Sequence, residues 1–159
     1  MAFTVEDFAD LLRLLDTLTT HVDYLRGEAL EARYHRHFAA YFGRLARRFR
    51  LLDSAQLGDL VEDALDGGKL SEDEADALRA ADLVLSGRSP TDGTDLYLVI
   101  EVSFGIGLSD VRRAHERARL LERLGRPALP VVASRWIDAD AAHMAQDLGV
   151  QAVVSGIKA

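Results

Sequence analysis

The chain has 159 residues, the length of one domain with at most a small appendage. Its hydrophobic content of 48% and its 3 prolines indicate a globular protein with a core and exclude a disordered chain. Cysteine is absent, which excludes disulfide and thiolate chemistry. No apolar run approaches the roughly 18 residues of a membrane span, and the acidic, amphipathic N-terminus is unlike a signal peptide. We therefore expect a cytoplasmic protein without a membrane partner.

The net charge of -7 disfavours a general nucleic-acid binder, but the charge is unevenly distributed. Between Ala32 and Arg50 there are six arginines and no acidic residue. From Asp53 to Asp82, ten acidic residues stand against two basic ones. Arginine supplies 17 of the 19 basic side chains, so Lys69 and Lys158 are the only lysines and few are available for a catalytic position.

The N-terminal segment carries apolar residues at alternating steps of three and four. They are Phe8, Leu11, Leu15, Leu18, Val22 and Leu25. This spacing is the a/d seam of a coiled coil, and it predicts a helix over residues 1–26 that forms a homodimer or a higher oligomer. Leu12 and Leu14 widen the apolar surface, so packing against the rest of the chain is the alternative. We expect Gly27 to interrupt the helix and a second domain to cover residues 27–159.

A second amphipathic helix is predicted from about Glu28 to Phe49, because apolar and aromatic residues recur on one face at helical spacing. They are Leu30, Tyr34, Phe38, Phe42 (or Tyr41), Leu45 and Phe49. The arginines between them occupy the other face. The segment from Arg50 to Leu52 is expected to form a first edge strand.

Residues from about 53 to 80 are interpreted as an inserted helical hairpin. Asp53 or Ser54 caps its first helix, and Ser71 with Glu74 forms the Ser-x-x-Glu capping box of the second. Its strongly acidic character is poorly suited to DNA phosphates. We therefore expect a structural insertion or a protein-contact surface.

The remainder of the chain alternates strands and helices. Strands are predicted at Asp82–Leu85, Leu96–Val102, 128–134 and 151–155, and helices at about Ser109–Leu124 and Asp138–Leu148. The segment FGIG and the residues around Trp136 are predicted loops. This order predicts an α/β fold in which a mixed central sheet is flanked by helices and the last strands are parallel.

Two carboxylates mark the predicted strand hairpin. Asp82 begins one strand, and Glu101 lies near the end of the next, two residues before Ser103. Asp82 taken alone is also consistent with a helix cap or an ordinary strand start. Glu101 follows the apolar run LYLVI, where an unpaired buried carboxylate is costly. We therefore expect a polar site at this end of the hairpin.

The order of elements from Gly27 to Ser155 resembles the PD-(D/E)XK nuclease superfamily, which has a restriction-endonuclease-like core. The strings that carry the resemblance are GEALEARYHRHFAAYFGRL, GKLSEDEADALRAADLVLSG, LYLVIEVS, DVRRAHERARLL and ALPVVAS. The chain is similar to bacterial proteins in which a coiled-coil stretch precedes a nuclease-like domain.

The resemblance implies a metal site with catalytic groups around it. Asp82 and Glu101 would be the carboxylate ligands of Mg²⁺ (or Mn²⁺), with the carbonyl of Val102 as a third ligand. Glu31 matches an extra acid that many members place beside the metal. Ser103 holds the position of the family's catalytic lysine and brings no charge.

Arginines are the remaining candidates at the site and for contacts with nucleic acid. Arg113 and Arg117, four residues apart on a predicted helix, are placed to supply positive charge, with a solvated or ion-paired helix face as the alternative. Phosphate contacts are expected from the arginine-rich helix. The residues assigned to nucleic-acid binding are Arg33, Arg36, Arg44 and Arg47, together with Arg113 and Arg117.

The resemblance implies a nuclease-like protein that acts on or binds nucleic acid, in the class of metal-dependent phosphodiesterases. The missing lysine leaves catalysis open. The alternative is a catalytically inactive interaction module that oligomerises through its N-terminal helix. Ser103 and His115 are not expected to form a hydrolase pair, because no nucleophile-elbow motif surrounds them.

Overall fold

A computed structural model describes residues 3–154 of the chain, so Ser155 and Lys158 lie outside the described residues. The helices are α1 (Val5–Phe42), α2 (Ser54–Asp66), α3 (Glu72–Arg79), α4 (Leu108–Glu122) and α5 (Ala139–Leu148). The strands are β1 (Arg47–Leu51), β2 (Leu83–Arg88), β3 (Asp95–Val102), β4 (Gly105–Ile106), β5 (Ala128–Ser134), β6 (Trp136–Ile137) and β7 (Gln151–Val154).

Five strands form one mixed sheet in the order β1-β2-β3-β5-β7. Strand β2 is antiparallel to both of its neighbours, β1 and β3, and β5 and β7 continue the sheet in parallel with β3. The predicted α/β fold with a mixed, helix-flanked sheet and parallel last strands is confirmed. The architecture is consistent with a restriction-endonuclease-like core.

Both faces of this sheet are covered by helices. The second half of α1 packs on one face, where Tyr34 and Phe42 are fully buried against residues such as Leu98. Helices α2, α3 and α4 cover the other face around Val84 and Val99, and α5 packs beside α4. Alternate strand residues therefore enter different core clusters, as the pleat of a strand requires.

Helix α1 differs from its prediction at Gly27. Helix α1 (Val5–Phe42) passes through Gly27 without a break, and its kink lies further along, at the non-helical residue His37. A glycine inside a helix costs only about 1 kcal/mol relative to alanine, so flanking helical turns carry the helix through it. The predicted break at Gly27 is wrong.

The first half of α1 projects away from the sheet. All six residues of the predicted seam are exposed, as are Leu12 and Leu14. The alternative in which this stripe packs against the rest of the chain is therefore not formed.

The prediction that a second helix, beginning at about Glu28, extends to Phe49 is also wrong. The chain turns after Phe42 and enters strand β1 at Arg47, with a bulge between Arg47 and Arg50. Phe49 still joins the core, where its ring meets Phe38 edge-to-face at a centroid distance of 6.3 Å. The predicted helix and the observed bulged strand therefore both direct Phe49 toward the core. The expected edge strand is confirmed, displaced toward the N-terminus.

The acidic hairpin is confirmed with its caps. Asp53 caps α2, and the reciprocal bonds of Ser71 and Glu74 cap α3. Helix α4 begins at Leu108, one residue before the predicted start, and Gly107 is its N-cap. The carboxylate of Asp110 accepts a hydrogen bond from the Gly107 N–H at 2.9 Å and so satisfies one backbone donor at this end of the helix. The predicted loops at FGIG and Trp136 contain the short parallel pair β4–β6.

Candidate functional site

The structure brings Asp82 and Glu101 to the same end of the β2–β3 hairpin. Leu83 pairs with Ile100 in the antiparallel ladder, so Asp82 and Glu101 are the next residues on facing strands. An Asp82 carboxylate oxygen accepts a hydrogen bond from the Val102 N–H at 2.7 Å. The carboxylate thus ties the start of β2 to the end of β3.

Glu101 is 2% exposed and is held by two arginines of α4. Arg113 Nε donates to one carboxylate oxygen at 3.3 Å, and Arg117 donates to the other. The two arginines reach the same carboxylate because residues four apart lie on one face of a helix. The Arg117 side chain is 11% exposed, and the Arg113 side chain is 45% exposed and also bonds Asp110. Both arginines therefore lie at the end of the hairpin that carries Asp82 and Glu101, and both are ion-paired there.

Glu31 reaches the same region from α1. A cleft of about 600 Å³ opens between α1 and the end of the hairpin. Its lining includes Glu31, Asp82, Val102, Ser103, Phe104 and Trp136. The Ser103 hydroxyl donates to the Gly105 carbonyl at 3.0 Å and so is engaged with its own loop.

The carboxyl groups of the site all lie in an environment that favours their neutral forms. Burial raises the pKa of Asp82, while the Val102 N–H, Arg117 and Arg113 act in the opposite direction. Burial also raises the pKa of Glu101, against its hydrogen bond with Arg117. The pKa of Glu31 is raised by burial and then by the negative charge of Asp82. Added positive charge is therefore favourable at this end of the hairpin.

The predicted metal ligands do not form a ready cation site in this arrangement. Within residues 3–154, no three acidic or histidine side chains are grouped so that they could hold a metal ion. Both oxygens of Glu101 are bonded to guanidinium groups, and one oxygen of Asp82 is bonded to a backbone amide. The residues as placed do not fit a divalent cation.

The other predicted arginines lie on α1, on the turn that follows it and on β1. Arg33, Arg36, Arg44 and Arg47 are exposed, and we call these four residues the arginine surface. The Arg33 guanidinium lies 5.9 Å from the centroid of the Tyr41 ring, and Arg47 donates weakly to the Gly43 carbonyl at 3.5 Å. Within residues 3–154, none of the four forms an ion pair.

The sequence reasoning missed two contributors to this region. Asp110 joins the arginine network of Glu101, and its spacing of three residues from Arg113 is a helical ion-pair signal. Trp136 lines the cleft, whereas the sequence predicted only a loop around it. The ring lies against Gly105, where an added Cβ atom would overlap the indole.

No helix in the described part of the chain is long and apolar enough to cross a membrane.

No protein-family model matches this chain, and no curated protein matches it. Among solved structures, "Structure of EndoMS in apo form" is similar at 16% sequence identity, with a TM-score of 0.36. The similarity covers 48% of this chain and 33% of that one, so the chain spans about a third of the other protein's length. A similarity of this extent assigns no activity to this chain.

Proposed function

We propose that this chain is a nuclease-like domain that binds nucleic acid through the arginine surface. The observation that carries the proposal is that these four exposed arginines have no carboxylate partner within residues 3–154. In a chain of net charge -7, a basic surface left unneutralised is available for phosphate groups.

The acidic hairpin carries the densest negative charge in the sequence. Its ion-paired carboxylates bond arginines outside the arginine surface. Glu62 and Asp76 both bond Arg79, which belongs to the hairpin itself. Glu74 bonds Arg123, which follows α4, at 2.7 Å. These three hairpin carboxylates are therefore paired without the arginine surface.

Arg113 and Arg117 contribute differently from the arginine surface. Arg117 is nearly buried and bonded to Glu101, so a direct phosphate contact requires it to leave that partner. Arg113 is partly exposed and keeps donor capacity toward solvent. We therefore assign the main phosphate contacts to the arginine surface and a supporting electrostatic role to Arg113 alone.

The binding test compares two triple variants of equal charge. Fluorescence anisotropy with labelled single-stranded, duplex and branched DNA should show binding by the wild-type chain. R36Q/R44Q/R47Q should weaken that binding by more than about tenfold, because three phosphate contacts are lost. R13Q/R112Q/R119Q removes the same charge from exposed arginines elsewhere and should change the affinity much less. Equal losses in the two variants, or no binding by the wild-type chain, would reject the proposal.

Binding of Mg²⁺ or Mn²⁺ by Asp82, Glu101 and the Val102 carbonyl stays a prediction. It requires Glu101 to exchange at least one guanidinium partner for the cation. Calorimetric titration with MgCl₂ or MnCl₂ should detect binding that D82N abolishes if these groups work together. Incubation of labelled DNA with each cation then tests cleavage, and absence of product in every case leaves a binding domain without nuclease activity.

A second candidate function is that of an interaction module, and the exposed stripe on α1 favours it. Phe8 is 58% exposed and Leu15 is 51% exposed, and both lie on the a/d seam. A second copy of this chain is the occupant that such a self-complementary seam suits. L15D should reduce the sedimentation mass to that of a monomer, whereas T17D, which adds the same charge off the seam, should not. An unchanged mass in L15D would reject self-association through this helix.

A further inference from the structure

The structure assigns a phosphate-binding site to an arginine pocket at the opposite end of the β2–β3 hairpin. The pocket is made by Arg48, Arg50, Arg88 and Arg126, encloses about 230 Å³, and is completed by Ser86, Gly87 and Asp95. None of these arginines belongs to the arginine surface or to the cleft, so the assignment goes beyond the proposed function.

Strand pairing explains how these residues meet. Arg50 pairs with Ser86 across the β1–β2 ladder, and Arg88 pairs with Asp95 across the β2–β3 ladder. Directly paired residues, and residues two apart on one strand, share a face of the sheet. The β1 bulge places Arg48 beside this face with a φ of 55°. A local sheet irregularity thus adds a further guanidinium to the pocket.

The pocket carries far more positive than negative charge. Its one carboxylate, Asp95, bonds Arg88 Nε at 3.2 Å. Arg48, Arg50 and Arg126 form no ion pair with any carboxylate of residues 3–154. Like charges held together without a counter-charge repel one another, and an anion in the pocket relieves that repulsion.

Two of the four guanidinium groups are held in position by their surroundings. The Arg126 guanidinium lies 5.3 Å from the centroid of the Tyr97 ring, within the range of a cation–π contact. The Arg88 side chain is fixed by Asp95. Gly87 brings β1 close, since a Cβ atom there would lie 3.1 Å from the Arg47 carbonyl oxygen. Side chains placed in advance lose less freedom when a ligand binds.

A phosphate group is the ligand class that this chemistry recognises. Guanidinium groups bind phosphate oxygens through paired charge-assisted hydrogen bonds, and several of them converge here. The volume suits a phosphate or pyrophosphate group with a few waters, because one water occupies about 30 Å³. Asp82 and Arg88 are six residues apart on one strand, which separates the pocket from the cleft by about 20 Å. Phosphate binding here therefore needs no group of the cleft.

The test uses inorganic phosphate, pyrophosphate and a single-stranded oligonucleotide at constant ionic strength, with chloride as the background anion. Calorimetry should detect phosphate or pyrophosphate binding to the wild-type chain. R50Q and R126Q should each weaken it by about tenfold or more, the loss expected for a charge-assisted hydrogen-bond pair. R112Q removes an exposed arginine of α4 and should bind like the wild-type chain.

A further variant separates binding from folding. R48G removes a guanidinium at a position whose left-handed backbone suits glycine, so its melting temperature should not fall while its phosphate affinity does. Parallel loss of oligonucleotide affinity in R50Q and R126Q identifies a nucleic-acid backbone as the source of the phosphate. Loss of phosphate binding alone identifies a free phosphate compound.

Two results would overturn the assignment. One is the absence of any phosphate or pyrophosphate binding beyond that of chloride. The other is unchanged phosphate binding in R50Q, R126Q and R48G. In either case oligonucleotide binding that depends on the arginine surface would leave the proposed function intact, so the two hypotheses fail separately.

Discussion

Charged side chains are arranged in opposite ways at the two ends of the β2–β3 hairpin. At one end, the buried carboxylate of Glu101 is neutralised by Arg113 and Arg117 from α4. At the other end, exposed arginines share a single carboxylate, that of Asp95. Charges at the first end belong to the folded core, whereas most of those at the second remain free to meet a ligand.

This difference has an energetic basis. Breaking a buried ion pair strands a charge away from water and costs several kcal/mol, whereas an exposed pair contributes about 0–1 kcal/mol. Mutations at the two ends of one hairpin should therefore separate stability from binding. The following changes test that separation in order of decreasing effect.

Glu101→Ala should produce the largest loss of stability. It leaves Arg117, which is 11% exposed, without its counter-charge, and the expected loss in the free energy of unfolding is about 3–5 kcal/mol. Urea denaturation measures this value. Glu122→Ala is the control, because its 3.8 Å pair with Arg119 is exposed and should contribute less than about 1 kcal/mol. Equal losses in the two variants would mean that the pairing of Glu101 is not part of the core.

Gly105→Ala should have an intermediate effect. The added methyl group overlaps the indole of Trp136, and overpacking of this kind costs about 1–3 kcal/mol. The chain has one tryptophan, so its fluorescence reports the displaced ring directly. Gly58→Ala is the matched control, since no atom lies within 4 Å of its Cβ position in α2, and it should stabilise the chain by about 0.5–1 kcal/mol. An unchanged emission spectrum in Gly105→Ala would show that the Trp136 ring does not lie against this glycine.

Asp82→Asn should have a smaller effect of the opposite sign at neutral pH. Burial raises the pKa of Asp82 above its ordinary value of 3.8, so the folded chain binds this proton more tightly than the unfolded chain. The corresponding stabilisation is complete below the unfolded pKa and is lost as the pH rises through the folded pKa. Asparagine can still accept the hydrogen bond of Val102 and carries no charge.

The stability gain of Asp82→Asn over the wild-type chain should therefore be present at pH 7 and shrink toward pH 3. Thermal melts across this range measure it. A gain that grows on acidification would contradict the raised pKa.

Arg88→Gln should have the smallest effect on stability. Arg88 and Asp95 are 54% and 55% exposed, and an exposed pair of this kind contributes less than about 1 kcal/mol. Urea denaturation checks this expectation beside Glu101→Ala. A loss above about 2 kcal/mol in the free energy of unfolding would show that the charges at both ends of the hairpin contribute to stability.

Much of this fold follows from local sequence signals. Ser71 and Glu74 predicted the start of α3, and the apolar run before Glu101 predicted a buried strand. These signals succeed because capping and burial depend on neighbours in sequence. The prediction at Gly27 was wrong because a single glycine does not end a long helix. The prediction at Phe49 was wrong because an aromatic residue on the core side suits both a helix and a bulged strand.

The candidate site was less accessible to sequence reasoning. The strand hairpin predicted a shared sheet end for Asp82 and Glu101, and the resemblance implied Glu31 beside them. The structure places Asp82 and Glu31 in one cleft. The attachment of Arg113 and Arg117 to Glu101 depends on how α4 docks on the sheet, which no local pattern encodes. The pocket around Arg50 and Arg126 depends on strand register and on a bulge, which are also set by tertiary structure.

The salt dependence of DNA affinity tests the central claim most directly. Each phosphate contact with a single strand contributes about 0.7 to the slope of log affinity against log salt concentration. We predict that R36Q/R44Q/R47Q lowers the magnitude of this slope by about 2 relative to the wild-type chain, because three contacts are removed. R13Q/R112Q/R119Q should leave the slope unchanged. Identical slopes for the wild-type chain and R36Q/R44Q/R47Q would contradict nucleic-acid binding through the arginine surface.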